Sequence, residues 1–439
     1  MGLRILCKSH FVKCTIFSSI VILIIFPSCN NNKPLVNINF ADSLLAHYTS
    51  ANAAASDMAF WKKGINPAST GLVNESRYAA ALVTRFHQFG DIRDVWSADS
   101  ILALVNAAYN EKEASPNTAL AAYSILQHRF IAADNYLEKA RKAGLKKYES
   151  LTASFDIDFE MGRYTNAASC VKQLQPNKDY GYYFRKSKLD HLNGAMDSSI
   201  KAMLTAAALA GPSVYLKTVA LSNAADLYMH NNELKKANDL YVQCVRMNGG
   251  DFHSITGLGW IALVHDKNDS LAQLLFEFVH SKNKLPDPLF RLYQVAQQKK
   301  DSVLEARCAN DFAERATDTL YGNMYNKYLI EIYTGILHNP AKAESIAAAE
   351  LNNRSTPQTN AWYAWALFSN NKKEKAYKIY EQAVSGKPLE GLELYWMGKM
   401  MQGVGKGYNA RQFFSAAWKN HYDLSPAMAE DLENNLGSF

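Results

Sequence analysis

The chain has few of the residues that interrupt helices. Only 12 prolines and 22 glycines occur in 439 residues, so long helices joined by short turns are favoured over loop-rich or collagen-like folds. It also lacks an excess of charge: 47 Lys and Arg stand against 41 Asp and Glu. A net charge of +6 is too mild for a nucleic-acid surface. No His-Glu-x-x-His motif occurs, and none of the histidines after the first 28 residues are four apart, so no zinc-protease pattern is present. Apolar residues at 48% and charged residues at 20% are ordinary globular values and exclude general disorder.

No apolar run is long enough to span a bilayer, which takes about 20 residues. The longest is Thr15 to Phe26, twelve residues behind the cations Arg4, Lys8 and Lys13. Such a segment is for targeting and stands outside the fold. The following Phe26-Pro27-Ser28-Cys29, with Asn30-Asn31-Asn32 behind it, resembles a bacterial lipoprotein signal. That resemblance implies cleavage before Cys29, a lipid on its sulfur and removal of three cations, which lowers the net charge to about +3. Phe26 and Pro27 depart from the usual pattern. A plain secretory peptide and an uncleaved anchor are the alternatives. Each acyl CH₂ adds roughly 0.8 kcal/mol of membrane affinity. Asn30 in place of an acid implies the outer membrane, on its periplasmic face rather than the cell surface.

Cysteines are too few for a disulfide framework. Cys7 and Cys14 belong to the leader and Cys29 to the lipid site, which leaves Cys170, Cys244 and Cys308. An odd set of three, each in an expected helix, reads as small buried hydrophobes.

What the chain does contain is a ladder of small residues: Ala133, Ala167, Ser199, Ala237, Ala272, Ala309, Ala343, Ala376 and Ala410. The mean step is (410 − 133)/8, about 34.6 residues. A period of this length marks stacked helical hairpins. In the clearest unit, a first helix from about Ser213 to Met229 carries Leu221, Ala225 and Tyr228 on one face. A turn follows at His230-Asn231-Asn232, and a second helix carries Leu234, Ala237, Tyr241 and Cys244. The spacing is helical throughout. The widest steps, after Ser199 and after Ala272, mark places where helices lengthen or loops intrude.

Leu221, Ala225, Tyr228, Ala237, Tyr241 and Cys244 match the tetratricopeptide repeat at its large, small, large, small, large and small positions. Leu394, Gly398, Met401, Ala410, Phe414 and Ala417 match it again. The resemblance implies an all-α, right-handed superhelical solenoid of eight to ten helical pairs. Small residues let the two helices of a pair approach closely, and each pair must stack on its neighbours to bury its apolar face. The expected organisation is a leader at 1–28, a lipid tether and helix at 29–75, and a degenerate helical pair at 76–116. An array at 117–422 and a capping helix at 423–439 follow. One amphipathic helix is expected from Ser43 to Lys62, and a loop at Asn66 to Gly71.

Catalytic chemistry finds little support. Asp156 and Asp158 are two residues apart and so lie on different sides of a helix. Gly403-Val404-Gly405-Lys406-Gly407 lacks the Ser or Thr of a phosphate loop and no strand precedes it. His128, His191 and His265 fall at helix ends or turns. No catalytic residue, metal ligand or cofactor is expected. In the repeat frame the concave face receives Trp365 and Phe368, together with Asp226, Tyr395 and Lys399. Trp365 and Phe368 could grip a peptide or sugar ring, or they could pack against a neighbouring helix. The Lys and Asn set that clamps a terminal carboxylate in some such repeats is missing.

The sequence thus implies a non-catalytic scaffold for protein partners, held by Cys29 in a bacterial envelope. The alternative is a glycan-binding lipoprotein similar to the SusD-like family, in which long irregular segments usually interrupt the repeats. Here the connections are short.

Overall fold

The structure is a computed structural model that describes residues 33–48, 53–66 and 72–437. Cys29 and the leader lie outside the described residues, as do residues 67–71 of the expected loop. Among the described residues there is no strand. Where one N-terminal helix was expected there are two, Ile38–Ala46 and Ala53–Lys63.

Ten helical hairpins follow. The first five are Val73–Phe89 with Ile92–Ala108, Ala114–Leu126 with Phe130–Lys142, Lys147–Glu160 with Tyr164–Leu174, Tyr180–Leu192 with Met196–Ala208, and Val214–His230 with Leu234–Met247. The next four are Phe252–Val264 with Asp269–Lys282, Asp287–Lys299 with Ser302–Ala316, Asn326–Thr334 with Pro340–Asn353, and Pro357–Ser369 with Lys373–Ile379, which continues as a π-turn at Tyr380–Val384. The tenth is Gly391–Gly403 with Gly407–Trp418, and helix Pro426–Gly437 closes the array. Side-chain caps define several starts. Ser213 accepts from the Leu216 amide and Asn268 from that of Leu271, satisfying donors a helix start leaves free.

The ladder is the contact between the two helices of each pair. All nine of its residues are fully buried. In eight of the nine hairpins it occupies the fourth residue of the second helix; Ala309 is the eighth of Ser302–Ala316, which accounts for the wide step after Ala272. The wide step after Ser199 reflects the 17-residue helix Val214–His230. The close approach is visible at Gly398, where an added Cβ would lie 2.4 Å from the Phe414 ring. Ser199 keeps its hydroxyl satisfied. Its Oγ donates to the Ser187 carbonyl at 2.9 Å, and Ser187 Oγ donates to the Ser199 carbonyl at 2.8 Å. Cys170, Cys244 and Cys308 are buried and unpaired. Tyr241 and Tyr380 are buried, whereas Tyr228 is only half-buried and lies under the Lys236 ammonium at 5.1 Å.

The turn inside every hairpin holds one left-handed residue: Gly90, His128, Gly162, Gly194, Asn232, Lys267, Lys300, His338, Asn371 and Gly405. These turns also make contacts with residues far away in the sequence. The Lys284 amide donates to the Phe89 carbonyl at 2.8 Å, and its ammonium reaches Asp91 at 2.8 Å. Asn353 Nδ2 donates to the His128 carbonyl at 2.8 Å, while its Oδ1 accepts from the Phe130 amide at 3.1 Å. Arg354 pairs with Glu160 at 2.8 Å, and His230 Nδ1 lies 2.5 Å from Asp423 Oδ2. Asn232 Nδ2 donates to the Lys419 carbonyl at 2.7 Å. The separations of Asp91–Lys284, Glu160–Arg354 and His230–Asp423 are 193, 194 and 193 residues. At 34.6 residues per step, 194 is about 5.6 steps. The array therefore completes a turn and docks on itself along a seam. Sheltered behind that seam, the inner face becomes a channel rather than an open groove.

Candidate functional site

The first helices of the hairpins form the channel wall, because their side chains at i, i+3 or i+4 share a face. Asp226 comes from Val214–His230, His253 and Trp260 from Phe252–Val264, Arg291 from Asp287–Lys299, and Lys327 and Glu331 from Asn326–Thr334. A chamber of about 880 Å³ and a second of about 380 Å³ share Asn223, Asp226, Arg291, Tyr328 and Asp423 as walls. Both volumes fall in the range of ligand pockets, roughly 300–1,000 Å³.

The larger chamber centres on Asp226. Its Oδ1 accepts from Tyr241 Oη at 2.5 Å, and its Oδ2 lies 2.9 Å from His253 Nε2. The Asp226 charge outweighs desolvation and raises the His253 pKa to about 9. His253 is exposed to the chamber yet enclosed by its walls, so the attraction is only partly screened. Desolvation holds the Tyr241 hydroxyl well above its ordinary pKa. Trp260 Nε1 donates to the Tyr422 carbonyl at 2.8 Å, and the Arg291 guanidinium lies 4.2 Å from the centre of the indole.

The smaller chamber joins cations to buried carboxylates. Lys327 Nζ reaches Glu393 Oε1 at 3.1 Å, and Trp362 Nε1 donates to the same oxygen at 2.7 Å. Burial pulls the Lys327 pKa down, but Glu393 and Glu390 outweigh it and the net shift is upward. Burial raises Glu331 to about 7, against the opposing charges of Lys327 and Arg291.

Of the residues assigned to the concave face from sequence, Asp226 lines both chambers. Trp365, Phe368, Tyr395 and Lys399 line neither. Trp365 is half-buried, donates from Nε1 to Thr334 Oγ1 at 3.0 Å, and stacks on Trp396 at 5.7 Å and 4°. Phe368 lies 5.7 Å from the Trp365 ring. Tyr395 Oη and Lys399 Nζ both donate to Asp431 Oδ2 of the closing helix, at 2.7 and 3.0 Å. The paired aspartates join structural ion pairs on different sides of their helix, Asp156 with Arg185 and Asp158 with Arg163.

His253, Trp260, Arg291, Lys327 and Glu331 were not among the residues assigned to the concave face from sequence. Asp226 is the ninth position of its repeat. Carrying the fifth and ninth positions through the next unit leads to Thr256 and Trp260, both channel residues. Arg291 and Glu331 have no such signal, because their hairpins place the ladder residue or the first helix differently.

No family model matches the chain, and no curated protein matches it. Among solved structures, a tetratricopeptide repeat protein from Parabacteroides merdae is 13% identical; the match covers 66% of this chain and 98% of that one, with a TM-score of 0.34. Yeast Tom70 is 12% identical over 82% of this chain and 96% of its own, at 0.33. The tetratricopeptide domain of P58(IPK) is 12% identical over 91% and 97%, at 0.24. Likenesses this distant carry no argument about partner or ligand. The hairpin architecture stands on the buried ladder and the pairing of helices in this chain.

Proposed function

We propose that the protein is a non-catalytic helical-repeat scaffold, tethered through Cys29 to a bacterial outer membrane, that holds a segment of a partner protein in its channel. The observation that carries this reading is the coil itself. Ten hairpins close on themselves and turn one face of their first helices inward, where Asp226, His253, Trp260 and Arg291 line a chamber large enough for an extended peptide. Mixed charge with aromatic surface suits polar peptide groups and anchoring side chains.

A photoreactive amino acid at Thr256, inside the channel, tests the reading in intact cells. It should yield one discrete envelope-protein adduct that the same probe at Tyr408, which is 76% exposed, does not. Identical adducts from both positions, or none from Thr256, would count against it. The tether is tested by Cys29→Ala, which should move the protein from membrane to soluble fractions. The glycan reading lacks a free aromatic platform at its proposed site, since Trp365 already lies against Trp396.

A further inference from the structure

Most charges on the wall of the smaller chamber are matched within the protein. Lys188 meets Glu160 at 3.6 Å, Lys327 meets Glu393, Asp423 meets His230, and Asp226 meets His253. Glu390 is exposed and needs no partner. Two charges are left over, and both face this chamber: Arg291 and Glu331. Arg291 donates to the neutral Gln294 Oε1 at 2.9 Å and lies over Trp260, but no ion pair among the described residues joins it to a carboxylate. Glu331 is only 6% exposed, and its Oε1 is buried without any hydrogen-bond partner.

Buried polar groups are nearly always satisfied, and an exception calls for an explanation. Leaving a cation and a carboxylate unmatched in one chamber costs stability twice over. Lys327 and, after it, Arg291 oppose the upward shift of Glu331, yet among the described residues no ion pair joins Glu331 to Lys327 or to Arg291. A bridging molecule with an anionic and a cationic end would satisfy both. The rest of the wall includes apolar surface from Leu227, Phe290, Leu392 and Met428. At about 380 Å³ the chamber suits a small molecule rather than a folded chain.

We propose that this chamber binds a small aliphatic zwitterion, a free amino acid or a dipeptide, with its carboxylate on Arg291 and its ammonium on Glu331. The planar guanidinium can take a carboxylate through two parallel N–H donors. Glu331 accepts from the ammonium as a carboxylate, so binding near neutral pH drives a proton off it. The aliphatic side chain lies against Leu227, Phe290 and Met428. This site shares Arg291 with the larger chamber, but the proposal does not depend on the scaffold role.

The test is calorimetric titration of the full-length protein with L-leucine and with L-leucyl-L-leucine, alongside leucinamide and 4-methylpentanoate, which each lack one charge. One zwitterion should bind, and the analogue without carboxylate and the one without ammonium should each bind at least tenfold more weakly. Arg291→Gln and Glu331→Gln should each weaken the zwitterion at least tenfold. Binding at pH 7 should release protons, read as a difference in heat between Hepes and Tris, and Glu331→Gln should abolish that release. Preference for leucine assigns a free amino acid, and preference for leucyl-leucine assigns a dipeptide. The proposal is overturned if neither zwitterion binds, if either analogue binds equally well, or if binding survives both substitutions. Should a variant fold poorly, the analogues on the unaltered protein still decide. A Thr256 adduct without zwitterion binding would leave the scaffold standing and remove this site, and the converse result would do the reverse.

Discussion

Arg354 joins Glu160 to Glu350: its Nη1 donates to Glu160 at 2.8 Å, 194 residues away, and its Nε donates to Glu350 at 2.7 Å. The guanidinium also lies 4.8 Å from the Phe130 ring. One side chain thus couples the turn of the third hairpin to the junction behind the eighth. Glu350 is fully buried, so removing its cation strands a charge. Arg354→Ala should destabilise the protein by about 3 kcal/mol. Arg354→Lys should recover only part of this, because a single ammonium cannot reproduce the planar fork. Chemical denaturation of the three proteins checks the order.

The seam makes two otherwise similar glycines unequal. Gly90 and Gly194 both sit in hairpin turns with φ near +70°. A Cβ on Gly194 meets nothing within 4 Å, whereas one on Gly90 would come 2.2 Å from Asn283 Oδ1. Gly194→Ala should cost roughly 1 kcal/mol for the left-handed backbone alone. Gly90→Ala should cost at least about 1 kcal/mol more through overpacking, again measured by denaturation. Equal costs would mean that the turn of the first hairpin does not rest on Asn283.

Ser199 offers a test of the ladder. Alanine there leaves Ser187 still donating to the residue-199 carbonyl, so Ser199→Ala should change stability by less than about 1 kcal/mol. Ser199→Leu adds bulk where the site is fully buried and should cost roughly 1–3 kcal/mol. Thermal melts of both variants decide the point.

Acid should loosen the seam through His128. Burial depresses its pKa to about 4 from 6.5. For a base with a lowered folded pKa, the unfolded chain takes the proton first. Its contribution is therefore intact above about pH 6.5 and is lost as pH falls toward 4, up to roughly 3 kcal/mol. His253 has the opposite sign. Raised to about 9 by Asp226, it stabilises fully below pH 6.5 and loses that contribution as pH rises through 9. Stability measured against pH should peak near neutrality. His128→Asn, which tolerates the left-handed turn at φ 52°, should flatten the acid limb, and Asp226→Asn the alkaline one.

Local contacts were legible in the sequence because they repeat. Ala237 and Ala410 announce a helix–helix approach that only small residues permit, and Ser213 announces a helix start. Ala98, fully buried and 35 residues before Ala133, extends the ladder into the pair that looked degenerate; it escaped notice because it is the seventh residue of its helix rather than the fourth. The hairpin turns were half legible. Gly162 and Gly405 show themselves, but His128, Lys267 and Lys300 hold the same left-handed backbone with residues that give no such sign. The seam was not legible at all. Asp91 meets Lys284 only because small rotations at each hairpin add up over more than five repeats. The channel was legible only in part: Asp226 was reachable from the repeat frame, while Arg291 and Glu331, on the first helices of neighbouring hairpins, fall outside that frame because their hairpins place the ladder residue or the first helix differently.

Closure is tested most directly by zero-length carbodiimide coupling of the native protein, read by mass spectrometry of its peptides. Lys284 Nζ lies 2.8 Å from Asp91 Oδ2, so an amide should form between peptides carrying residues 91 and 284. Coupling of Lys372 to Glu344, 2.7 Å apart within one hairpin neighbourhood, serves as the internal control. Both products are predicted. Formation of the Lys372–Glu344 amide without the Lys284–Asp91 amide would contradict the closed coil.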